Sequence, residues 1–154
     1  MKTKLTFLFM VVFALIVNIS CEKVQIAGKS RKEMLVNKRW QISAKSVQNG
    51  NGVLTQDAYS SMPANEKDDF FIFNSDSTYE FNDNTNTRTD STSVVLDAGT
   101  WELIDNDKYL ELHSTVFTTT YNPSLIKELT DTKLYLETRY PGDGSIIWLT
   151  FKPF

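Results

Sequence analysis

From Arg39 to the C-terminus the chain is a succession of short segments in which apolar and polar residues alternate, separated by turn residues. Alternation with a period of two sends successive side chains to opposite faces of a strand. Trp40, Ile42 and Ala44 share one face against Gln41, Ser43 and Lys45. Asp69-Phe70-Phe71-Ile72-Phe73 and Thr78-Tyr79-Glu80-Phe81 flank Asn74-Ser75-Asp76-Ser77, which reads as strand, tight turn and strand. Val94 to Ile104, Tyr109 to Thr120, Leu125 to Leu129, Lys133 to Glu137 and Ile146 to Lys152 continue the theme. Their breaks fall at Asp105-Asn106-Asp107, Asn122-Pro123, Thr130-Asp131 and Pro141-Gly142-Asp143-Gly144. Strands joined by short turns pair as antiparallel neighbours, so about eight in a row make a meander. An open meander leaves two unpaired edges, whereas closure removes them. The expected fold is an all-β, eight-stranded antiparallel up-and-down barrel.

A short helix precedes it. Ser30-Arg31-Lys32-Glu33 fits the capping box, in which the Ser hydroxyl and the Glu carboxylate satisfy the first free amides of a helix. The helix is expected from about Arg31 to Asn37, with Met34 and Leu35 on its buried side, and two turns must pack on something to persist. Phe70 and Ile72 point away from Phe71 and Phe73, so the outer face there needs cover, and this helix is the candidate. Two polar stretches are longer than connectors. The segment from Val47 to Lys67, with Asn49-Gly50-Asn51-Gly52 and Pro63 as breakers, has the length of a lid or binding loop. Asp83 to Ser93, without an apolar residue, reads as a long, mobile hairpin tip.

The first twenty residues belong to another category. Met1-Lys2-Thr3-Lys4 is basic, and Leu5 to Val17 is apolar apart from Thr6, the layout of a secretory signal. A spanning helix needs about 20 apolar residues, so the run is too short for one. Ser20 and then Cys21, the single cysteine, follow an apolar run as in the lipid-attachment motif of bacterial lipoproteins, with Asn18 standing where an aliphatic residue is usual. Two or three acyl chains on Cys21 would hold the protein on a membrane durably. The expected division is a signal over 1–20, a lipidated tether over 21–29 and the barrel domain over 30–154, placed in the cell envelope on the outer membrane or a periplasm-facing membrane. Loss of Lys2 and Lys4 with the signal leaves 14 Lys and Arg against 19 Asp and Glu, moving the net charge from −3 to −5. Residues 22–45 nevertheless hold seven cations against two acids, a basic stem that could lie on anionic headgroups or be a solvated tether and helix face. A body as acidic as the remainder excludes nucleic acid as a natural partner.

The barrel positions resemble a known family. Leu35 to Trp40 at the first strand, the Phe73 to Tyr79 hairpin, Gly99-Thr100-Trp101-Glu102-Leu103, and Leu129-Thr130-Asp131-Thr132-Lys133-Leu134-Tyr135-Leu136 are similar to the lipocalin-like domains of Gram-negative lipoproteins, over roughly Met34 to Phe151. Lys38 and Ser77 stand where that pattern usually has glycine. The resemblance implies a calyx for a small hydrophobic molecule or envelope component, with the Val47–Lys67 loop over its mouth. Trp40, Phe71, Phe73, Tyr79, Phe81 and Trp101 are the residues expected inside, where they either line a cavity or fill the barrel as plain core.

Catalytic chemistry has little to stand on, and no cofactor is expected. His113 is the sole histidine and Cys21 the sole cysteine, so zinc sites of nitrogen and sulfur ligands cannot be assembled. No G-x-S-x-G segment or phosphate-cradling glycine loop is present. Asp68-Asp69 and Asp105/Asp107 lack the spacing of a calcium loop, and Asp105-Asn106-Asp107 reads as turn chemistry. Two functions follow as expectations. One is a lipid-anchored, non-enzymatic binder of a small apolar ligand. The other is an interaction module whose loops 47–67 and 83–93 contact a protein or glycan, with exposed Tyr59, Tyr140 or Trp148 grouped on one surface. An enzyme on the same barrel would need His113 gathered with carboxylates in a cleft.

Overall fold

The computed structural model describes residues 28–84, 95–140 and 142–154. The signal, Cys21, nearly all of the tether and most of the 83–93 segment lie outside the described residues. The chain forms α1 (Arg31–Leu35), β1 (Arg39–Gln48), β2 (Leu54–Thr55), α2 (Ala64–Lys67), β3 (Phe70–Phe73), β4 (Thr78–Asn82), β5 (Val95–Ile104), β6 (Tyr109–Ser114), β7 (Thr119–Thr120), β8 (Ser124–Leu129), β9 (Leu134–Arg139) and β10 (Ile146–Pro153). Eight of the strands, in the order β1-β3-β4-β5-β6-β8-β9-β10, are antiparallel neighbours, and β10 returns to pair with β1. The closing pair runs from Trp40 opposite Pro153 to Gln48 opposite Ile146. This is the closed up-and-down barrel that the alternation calls for. Its two-residue companions β2 and β7 fold back on β1 and β6.

The register builds the interior row by row. Trp40, Phe71, Phe81 and Asp97 stand side by side across β1, β3, β4 and β5. Phe73, Tyr79, Gly99 and Ser114 form the next row, and Trp101 lies opposite Leu112. The inward positions are mostly apolar, with Asp97 and Ser114 among them. Gly99 is required where it stands, because a Cβ there would collide with the carbonyl of His113 on β6.

One end of the barrel is shut. Ser30 caps α1 through the expected reciprocal bonds with Glu33, and the helix stops at Leu35, two residues short of the expected Asn37, which takes a left-handed φ of 58°. Leu35 is fully buried in the core and its carbonyl receives the Trp40 indole N–H at 2.8 Å. Arg31 bonds the Asp107 carbonyl, while Lys29 and Lys38 both reach Asp131, so the helix is tied to the β5–β6 and β8–β9 turns. The helix therefore plugs an end of the barrel instead of covering the outer face of β3. Phe70 is covered there by the ring of Phe154, at 5.5 Å edge-on, and by the Arg39 guanidinium at 5.0 Å.

Three further features differ from simple alternation. A bulge between Ile42 and Ala44 turns exposed Ala44 to the outside and sets Lys45 opposite Leu149. The segment from Tyr109 to Thr120 is two elements, because Thr115 to Thr118 reverse the chain and β7 returns along β6. The long first loop is built, carrying β2 and α2, with Tyr59 and Met62 packed against the core.

Candidate functional site

The interior is not solid. A cavity of about 480 Å³ opens at the end of the barrel opposite α1, where β1, β4, β6 and β9 finish and β3, β5, β8 and β10 begin. A second recess of about 340 Å³, reaching Met62 and Glu66 of the first loop, shares Phe71, Phe81, Leu149 and Phe151 with it. Pockets that hold small molecules run from about 300 to 1,000 Å³ and are mostly apolar with a few polar groups. Both spaces belong to one calyx divided by aromatic rings. Phe71 and Phe81 stack at 4.4 Å and Phe151 meets Phe71 edge-on at 6.0 Å.

Of the six expected interior residues, Trp40, Phe71, Phe73 and Phe81 line the larger cavity. Trp101 is buried toward the shut end, where its indole donates to the Asn74 carbonyl at 3.2 Å and its ring meets Phe73 edge-on. Tyr79 is also buried, and its hydroxyl donates to Asp97 Oδ2 at 2.7 Å. Burial, together with that hydrogen bond, raises the Tyr79 phenol well above its ordinary range, and Tyr121 is raised for the same reasons.

Asp97 escaped the sequence reading, although alternation back from Trp101 and Gly99 places it on the inner face. Only 6% exposed, it is the larger cavity's one carboxylate among the described residues, while Glu66 and Asp69 border the second recess. Its Oδ2 accepts from Tyr79 and, at 3.0 Å, from the Tyr121 hydroxyl; its Oδ1 accepts from Ser114 Oγ at 2.5 Å and from the Ala98 amide at 2.8 Å. Charged side chains are expensive to bury unless hydrogen-bonded, and four donors meet that condition here.

The open end also carries the rim. Val53, Leu54, Val95, Val116, Phe117, Tyr121 and Tyr140 are exposed large apolar or aromatic residues on the loops and strand ends there. Phe117, Tyr121 and Tyr140 line the cavity as well. Of the aromatics expected at an outward interaction surface, Tyr140 alone is exposed, since Tyr59 packs on the core and Trp148 donates its indole N–H to Glu137 at 3.0 Å.

His113 does meet carboxylates, but on the outer face of the sheet. Its Nε2 lies 3.1 Å from Glu102 and 3.2 Å from Glu111, and its Nδ1 contacts the Thr120 hydroxyl at 2.9 Å. These three side chains could approach one cation together. None of them lines either of these two cavities. No family model matches the chain, and no curated protein matches it.

Proposed function

We propose that the protein is a lipocalin-like lipoprotein of the cell envelope, anchored to a membrane through acylated Cys21, and that it binds a small hydrophobic molecule without transforming it. The observation that carries this reading is the cavity of about 480 Å³, framed by Trp40, Phe71, Phe73 and Phe81 inside a closed eight-stranded barrel. A barrel of this size has just enough interior to be filled by side chains or to hold one small ligand, and here space remains. The basic and then apolar N-terminus followed by Cys21 supports the anchor. Exposed Val53 and Leu54 favour a second reading, in which the first loop meets a protein or glycan partner.

Native mass spectrometry of the protein extracted from its own membrane tests these statements together. The expected mass is that of a chain beginning at Cys21 and carrying acyl groups, with a retained small molecule. An unmodified chain beginning at Met1 or Glu22 would refute the anchor. An empty barrel that retains a protein or glycan partner would replace the ligand reading with the second one.

A further inference from the structure

The calyx has a polarity of its own, and it is set by Asp97. In register with Asp97 stand Phe81, Phe71 and Trp40, so the row that crosses the cavity wall ends in a carboxylate at one side and aromatic rings at the other. Among the described residues no lysine, arginine or histidine lines the cavity. Nor does any make an ion pair with Asp97. Among the described residues the charge is held by neutral donors alone.

Those donors point their hydrogens at it. Tyr79, Tyr121 and Ser114 each direct a hydroxyl hydrogen at the carboxylate, which leaves their oxygens as acceptors. Asn122, farther along the same wall, gives an amide hydrogen to the Arg139 carbonyl at 3.3 Å. Of these groups Asp97, Tyr121 and Asn122 line the cavity, beside the hydroxyls of Ser124 and Thr138, so the wall here is one negative charge among neutral polar groups, and the aromatic faces across from it are electron-rich. Such a surroundings repels a carboxylate head and attracts an ammonium.

One of the four donors can be exchanged. Tyr79 sits in β4 with 1% exposure, Ser114 and Ala98 are fixed in strands, but Tyr121 is 38% exposed on the irregular stretch between β7 and β8. Its backbone amide holds the Leu112 carbonyl at 2.9 Å, so the side chain can swing while the chain stays in place. Departure of the Tyr121 hydroxyl would free a lone pair on Oδ2 at the cavity surface.

We propose that Asp97 is the head-group site of the calyx, that its ligand is an amphiphile with an apolar body and a cationic ammonium head, and that the head displaces the Tyr121 hydroxyl. This rests on the calyx reading above and adds to it the class of ligand. The apolar body occupies the space among Trp40, Phe71 and Phe81, and the ammonium donates to the Asp97 carboxylate. The same charge disfavours a fatty-acid-like anion.

The test is a titration of the protein at neutral pH, followed by intrinsic tryptophan fluorescence, with decylamine, decanol and decanoate as probes of equal chain length and different head. Decylamine, as its ammonium ion, is expected to bind roughly tenfold more tightly than decanol, the difference between a charge-assisted and a neutral hydrogen bond. Decanoate is expected to bind more weakly than either. In Asp97→Asn the amine is expected to lose its advantage over the alcohol, with the near-ultraviolet circular dichroism showing whether the variant is folded. If it is not, the comparison of heads on the unaltered protein still decides. Equal binding of all three, or a preference for decanoate, would overturn the head-group site and leave the apolar calyx standing. Failure of every probe to bind would overturn both.

Discussion

Trp40 links the shut end of the barrel to its cavity. Its indole N–H ends on the buried Leu35 carbonyl, the Lys38 ammonium lies 5.5 Å from its ring, and its ring borders the open space. Lys38 thus has two roles in this chain, since it also pairs with Asp131 at 2.9 Å. Replacing Trp40 with Phe keeps an aromatic ring but leaves the carbonyl without its donor and removes packed volume. The expected loss is about 2–3 kcal/mol, read from the urea midpoint. Glu137 gives a pH-dependent contribution. Burial disfavours its charge, but the Trp148 indole at 3.0 Å, the Arg139 guanidinium at 2.8 Å and Lys127 at 3.7 Å outweigh it and hold the carboxyl below its ordinary 4.5. A carboxylate depressed in the folded state stabilises it above the unfolded value and stops doing so as pH falls through the folded one. Stability is therefore expected to fall on acidification below about pH 4.5, and Glu137→Gln to flatten that decline while costing stability at neutral pH. Urea titrations of both proteins at pH 7 and at about pH 3.5 would check the sign.

At the level of elements, hairpin β3–β4 shows how far local chemistry reaches. Asn74 to Ser77 closes it, with the Ser77 amide on the Asn74 carbonyl and Asp76 accepting from the Thr78 amide and hydroxyl. Ser77 takes a φ of 69° without being glycine, so the turn is held by its side-chain bonds. The neighbouring pair β5–β6 depends on glycine more directly. Gly99→Ala would drive a methyl into the His113 carbonyl and force two paired strands apart, at an expected cost of about 1–3 kcal/mol or more in the thermal or urea transition. Eight strands and a capped helix were legible in the sequence because alternation and turn residues are local signals. The bulge between Ile42 and Ala44 was not, since it is fixed by pairing with β10 about a hundred residues away in sequence. Nor was the reversal at Thr115 to Thr118, because threonines suit strands and nothing in their order marks a turn. Asp97 was legible from its place in the alternation but not from its type, because the donors that make its burial tolerable, Tyr79, Ser114 and Tyr121, come from other strands and loops.

Over the whole molecule, closure of β1 on β10 joins the first and last strands, and α1 completes the structure from outside the sheet by filling the end that the strands alone leave empty. The aromatic pattern in the sequence pointed to an apolar interior but could not say whether it was full, since the cavity is the difference between the volume enclosed and the volume of the side chains. That difference depends on Phe71, Phe81 and Phe151 packing against one another instead of spreading over the space. The way the chain enters this vessel has a consequence for its posture. Lys29 and Arg31 fasten the N-terminal approach to Asp131 and Asp107 at the base, and the mouth with its apolar rim is at the far pole. A cup moored by its foot stands with its lip turned away from the surface that holds it. In this cup the apolar rim and the first described residues of the chain are at opposite poles, so a contact made at one leaves the other open.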